Sequence, residues 1–138
     1  DPMGFCFYMG KKKVSVSTDM GHVKDEVAKR INNSDILLLE SNHDPEMLLT
    51  GPYPYYLKQR ISGEKGHLSN EQAAQMILKL NLEKTKRIYL GHLSKENNHE
   101  ELAMLTVESI LDEHGVLDCY RFDIQLARRH QPAFCSII

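Results

Sequence analysis

The hexapeptide "DILLLE" at residues 35–40 constrains the fold more than any other stretch of the chain. Its apolar run is too short for a helix and too apolar for a strand with one wet face, so it reads as a short strand covered on both faces. "KRIYLGH" at residues 86–92 is a second strand of this kind. Helices on both sides of a sheet, or a helix layer and a second sheet, are expected, and the class is α/β.

The remaining elements fit that plan. "GFCFYMGKKKVSVST" reads as a hairpin with strands at 4–9 and 13–18 and a turn near Gly10 to Lys12. Lys11, Lys12 and Lys13 then sit in a solvated turn. In "VSVST", Val14 and Val16 point to one face and Ser15 and Ser17 to the other. Val23, Val27 and Ile31 predict a helix over 22–33, ended by "NNS". Ser69 and Gln72 form a capping box for a helix over 70–81, and a further helix over 99–114 stops at Gly115. The tail "VLDCYRFDIQLA" reads as one long strand or a hairpin.

Composition narrows the function classes. A chain of 138 residues with net charge −2 and 41% hydrophobic residues is an ordinary globular domain, without the overall basic charge common in nucleic-acid binders. Neither a membrane span nor a signal peptide is legible, so a cytoplasmic location and no membrane partner are expected. Cys6, Cys119 and Cys135 are odd in number and widely spaced, which argues against a disulfide framework or a thiolate zinc site. They read as small buried hydrophobes or a free terminal thiol.

The chemistry-bearing residues stand at strand ends. Asp19 follows "VSVST", His43 follows "ILLLE", His92 follows "RIYL", and His67 precedes the capped helix. Asp19 has two readings: an N-cap for the helix that follows, or a ligand at the C-terminal edge of an α/β sheet. No local H-x-x-x-H or H-x-H-x-D spacing names a metal. The irregular stretch 41–66 holds Pro45, Pro52 and Pro54 and a cluster of Tyr53, Tyr55 and Tyr56 beside Lys58 and Arg60. Irregular inserts of this length inside a domain are more often functional than ornamental.

Three segments together, "GFCFYMGKKKVSVSTDMG", "LLLESNHDPEMLLTGPYPYYLKQRISGEKGHLSNEQAA" and "RIYLGHLSKENN", resemble the C-terminal half of metallo-β-lactamase-fold hydrolases of the WalJ (YycJ) type, relatives of ribonuclease Z-like nucleases. The resemblance implies that residues 1–138 are part of an αββα sandwich: a mixed sheet with helices on one face and an apolar face meant for the other half. It implies Asp19 as the aspartate bridging two divalent ions, zinc or manganese, and His92 as the last histidine ligand. It implies His67 as the proton donor in hydrolysis of a nucleic acid, DNA in the first instance and by an exonuclease, with His43 or Glu40 orienting it. The family's H-x-H-x-D-H motif does not occur in these residues. A piece that lacks most of its ligands, is inactive alone and associates with itself or with a missing half is therefore expected.

Overall fold

The structure, a computed structural model, describes residues 3–133. Strands β1 (Met3–Met9) and β2 (Lys12–Thr18) form the hairpin, and Gly10, at φ 60°, makes its tight turn. Of the three lysines only Lys11 lies in the turn. Lys12 reaches Asp35 at 3.3 Å while its side chain stays 42% exposed, and Lys13 donates to the carbonyl of Asn32 at 2.8 Å, so both tie β2 to the segment that leads into the next strand.

Strands β3 (Ile36–Glu40), β4 (Arg87–Gly91) and β5 (Asp123–Leu126) follow β2 in parallel, giving a five-stranded mixed sheet in chain order. Helices α1 (Asp25–Ile31), α2 (Pro45–Thr50), α3 (Tyr55–Ser62), α4 (Asn70–Leu78), α5 (Glu100–Glu113) and α6 (Val116–Cys119) complete the described residues. The α4 capping box is present, with Ser69 Oγ accepting from Gln72 N and Gln72 Oε1 accepting from Ser69 N.

The core lies between one face of the sheet and three helices. Leu37, Leu39, Ile88 and Leu90 meet Ala28 and Ile31 of α1, Ala73, Met76 and Ile77 of α4, and Val107 and Leu111 of α5. Alternation puts Ser15 and Ser17 on this same inner face, fully buried, while Val14 and Val16 are only partly buried on the other. The serines are satisfied: Ser15 Oγ bonds Ser34 Oγ at 2.7 Å, and Ser17 Oγ donates to Met20 Sδ at 3.4 Å. Small hydroxyls there let α1 lie close to the sheet.

The outer face carries Phe5, Phe7, Val14, Val16, Ile36 and Leu38. Phe5 and Phe7 are 53% and 58% exposed, and Ile36 and Leu38 are only partly buried. "DILLLE" is therefore covered on one face by described residues, not on two.

Three further expectations are corrected. Helix α1 begins at Asp25 behind Lys24, so Asp19 is not its cap. The tail is a short helix and a four-residue strand: Gly115, at φ 71°, reverses the chain and leaves only Asp123–Leu126 to pair with β4. Cys119 is exposed, against its reading as a buried residue, whereas Cys6 is partly buried and packs against the core; Cys135 lies outside the described residues.

Candidate metal centre

Three adjacent parallel strands deliver three side chains to one edge. β2 ends just before Asp19, β3 ends on Glu40, and β4 ends just before His92. The strands are in register, Glu40 facing Gly91 across the β3–β4 ladder. Asp19 and His92 both adopt φ 56°, a left-handed conformation that Asp and His tolerate better than most residues and that occurs at functional sites more than elsewhere.

His67 arrives from the irregular insert. The chain beyond β3 pairs with the segment before α4 through a parallel bridge, His43 to Ser69. Asn42 N donates to Leu68 O, and Asn70 N to His43 O, each at 2.9 Å. His67 is thereby laid beside Glu40. Two glycines make the approach possible: a Cβ at Gly21 would run into the backbone of Gly63 and Glu64, and one at Gly66 into that of Ile61.

Asp19, Glu40, His67 and His92 each offer a ligand atom, all within 4.8 Å of one another. Glu40 has no exposed side-chain surface, and its Oε1 accepts from Nδ1 of His67 and from Nδ1 of His92, at 2.6 Å each. Its Oε2 accepts from Met20 N at 3.2 Å. Asp19 Oδ1 lies 3.5 Å and 3.6 Å from the same two ring nitrogens. Because both Nδ1–H groups are engaged by Glu40, each histidine keeps Nε2 as the nitrogen free to ligate or to donate a proton. Asp19 and His92 are donors of the kind a divalent ion takes, with Glu40 and His67 beside them to orient a ring and carry a proton, so the residues present fit part of the metal site that the fold implies.

Electrostatics follow from burial and pairing. Burial alone would raise the Glu40 carboxyl, but the hydrogen bonds and charges of His67 and His92 outweigh it and hold its pKa below the ordinary value. The hydrogen bond to Glu40 raises the pKa of His67 against its own partial burial, helped by the charges of Glu40 and Asp19.

His43 stands outside the cluster. It is 2% exposed, and burial, reinforced by the charge of His67, lowers its pKa to about 4. Nδ1 of His43 lies 3.3 Å from Asn42 Oδ1.

A buried amide network behind the site was not assigned a role from the sequence. Asn42 Nδ2 donates to His92 O at 2.8 Å, and Asn98 Nδ2 donates to the carbonyls of Ser41 and Asn42 at 3.0 and 3.1 Å. Asn70 and Asn98 exchange amide hydrogen bonds of 2.9 Å. These asparagines join the loops after β3 and β4. Their only signal in the sequence is polarity at "SN", "SN" and "NN", which loops also show.

Comparisons with known proteins place the chain in a family. Residues 1–93 match the model of the beta-lactamase superfamily domain. The chain is 41% identical over 115 residues to exodeoxyribonuclease YycJ of Bacillus anthracis, covering 83% of the chain and 44% of that protein. It is 46% identical over 106 residues to exodeoxyribonuclease WalJ of Streptococcus pneumoniae, covering 77% of the chain and 39% of that protein. It thus spans less than half the length of these relatives. Among solved structures, the metallo-beta-lactamase fold protein YhfI from Bacillus subtilis superposes with a TM-score of 0.57 at 14% identity, over 91% of the chain and 41% of that protein, a likeness of fold alone. A carboxylate–histidine cluster at the strand ends, on a mixed sheet of this topology and with this family match, means that the chain belongs to the beta-lactamase superfamily domain family.

Proposed function

We propose that the chain supplies part of the active site of a metal-dependent nuclease that cleaves phosphodiester bonds of DNA. The observation that carries the reading is the convergence of Asp19, Glu40, His67 and His92 within 4.8 Å at the strand ends. The relatives' description as exodeoxyribonucleases supports DNA and attack from an end.

In this reading Asp19 and His92 would be the protein ligands of the divalent metal. A divalent ion held there, zinc or manganese, would supply a hydroxide near neutral pH and neutralise charge on the attacked phosphate. His67 donates a proton from Nε2 to the leaving oxygen. Glu40 fixes the tautomer and orientation of His67 through Nδ1 and keeps the ring protonated longer as pH rises. His43, kept neutral by burial, meets His67 only through their electrostatic coupling, so the orienting role falls to Glu40.

In a longer protein that contains this chain, His67→Ala lowers turnover by roughly 10²–10⁴ while metal content stays unchanged. Asp19→Ala loses metal and activity together. A full-speed His67→Ala enzyme would remove His67 from the mechanism.

The chain alone is expected to hydrolyse no DNA at a useful rate, because Asp19 and His92 give an ion two protein donors where catalytic zinc sites use three. The outer sheet face favours a second property. Phe5 and Phe7, 53% and 58% exposed beside partly buried Val14, Val16, Ile36 and Leu38, form an apolar patch of the kind that associates with itself or with a complementary half. Sedimentation at high concentration tests this: a strictly monomeric chain would exclude self-association.

A further inference from the structure

The metal centre opens into two clefts that meet. One, of about 520 Å³, is lined by Asp19, His67 and His92. The other, of about 440 Å³, runs from His92 to the start of α5 and the segment that follows β5. His92, Ser94, Lys95 and Arg129 line both.

Lys95 and Arg129 therefore stand at the junction. Among the described residues neither forms an ion pair with a carboxylate. The neighbouring Arg128 is different: its Nε lies 3.1 Å from Glu100 Oε2, so its charge is taken up locally. Arg129 Nη2 donates to the carbonyl of Leu93 at 3.2 Å, which holds the guanidinium beside His92 and leaves its other donors available. Asp19 and Glu96 also line the first cleft, so its two cations face two acids, of which Asp19 belongs to the metal centre. Tyr53, in the same cleft, adds an aromatic ring on which a base could stack.

We infer that Lys95 and Arg129 form a phosphate subsite next to the metal centre, which takes the phosphodiester neighbouring the scissile one in a bound DNA strand; the assignment rests on the nuclease reading above. A guanidinium fork and a mobile ammonium are the two side chains that bind phosphate best, and each contact releases condensed counterions from the strand. The subsite fixes which linkage lies over the metal centre by holding the next one along.

The test is binding without cleavage. A short fluorescent single-stranded DNA is titrated with the 138-residue chain in EDTA, over a range of salt, by anisotropy. For the double variant Lys95→Gln with Arg129→Gln, the slope of log affinity against log salt falls by about 0.7, the value for one phosphate contact on a single strand. Zinc affinity, followed separately by calorimetry, stays unchanged. The charge-preserving pair Lys95→Arg with Arg129→Lys restores most of the slope. An unchanged slope in the glutamine variant overturns the subsite, as does a wild-type chain that binds no DNA. Loss of zinc affinity in that variant overturns it too, by assigning these residues to the metal centre. The nuclease reading fails separately: if a metal-loaded longer protein containing this chain cleaves no DNA, that reading falls while the phosphate contacts read from the salt slope remain.

Discussion

Asp19 and His92 share one backbone conformation, φ 56°, each one residue beyond the end of its strand and on either side of Glu40. A left-handed residue turns the chain sharply, so the side chain at the strand end swings over the sheet edge instead of continuing the alternation. The cost of that conformation is about 1–2 kcal/mol for each non-glycine residue. Asp19→Gly relieves it. The metal-free variant is expected to be about 1 kcal/mol more stable than wild type, with zinc affinity at least tenfold lower. Thermal melts and calorimetry check the two arms. A variant that melts lower would mean that Asp19 contributes contacts worth more than its strain.

Glu40 is the hub of the site, since one buried oxygen accepts from both histidines. Glu40→Gln keeps the shape and removes the charge. In the metal-free chain the raised pKa of His67 should fall back toward 6.5, read by an NMR pH titration. Stability should drop by about 1.5–3 kcal/mol, the usual range for a charge-assisted hydrogen bond. The depressed Glu40 contributes above its ordinary 4.5 and the raised His67 contributes below its ordinary 6.5, so the loss is largest between those two values. An equal loss at pH 9 would assign the effect to packing instead of charge.

Much of this site was legible in the sequence, for a physical reason. A site residue at a strand end interrupts a hydrophobic run with a polar one, and Asp19, Glu40 and His92 each do so. His67 stood out because the Ser69–Gln72 capping box fixed the start of α4 and left His67 just outside it. What periodicity could not supply was which face of β2 is inner. Valine and serine alternate equally well in either orientation, and the serines go inward because Ser15 finds Ser34 and Ser17 finds Met20. The tail was misread because its apolar spacing suits a strand, while Gly115 and the β4 edge allow only a short one. The Asn42–Asn70–Asn98 network was invisible since each bond spans remote positions and asparagine alone marks only polarity.

Gly21 governs the approach of the loop that carries His67. Gly21→Ala places a Cβ against the backbone of Gly63 and Glu64, where no side-chain rotation can relieve it. The expected loss is about 1–3 kcal/mol in a denaturant melt, with weaker zinc binding because Asp19, two residues away, is displaced relative to His92. Gly10→Ala is the control. At φ 60° with nothing within 4 Å of its Cβ, it costs only about 1–2 kcal/mol of backbone strain and leaves zinc affinity intact. Equal zinc affinities for the two variants would refute the steric role of Gly21.

His43 gives the chain an acid sensitivity separate from the metal centre. Its pKa falls from 6.5 to about 4 through burial and then the charge of His67, partly offset by Glu40 and Asp44. The unfolded chain therefore binds a proton at His43 where the folded chain does not, throughout the interval between 4 and 6.5. Stability from the neutral, buried ring is complete above 6.5 and is lost as pH falls through that interval. The slope approaches about 1.4 kcal/mol per pH unit in the middle of the window. His43→Gln removes this contribution: denaturant melts at pH 7 and pH 5 should show a smaller difference for the variant than for wild type. Comparing the two proteins at the same pH values cancels the opposite slope from His67. An unchanged difference would show that His43 titrates alike in the folded and unfolded chain, against its 2% exposure.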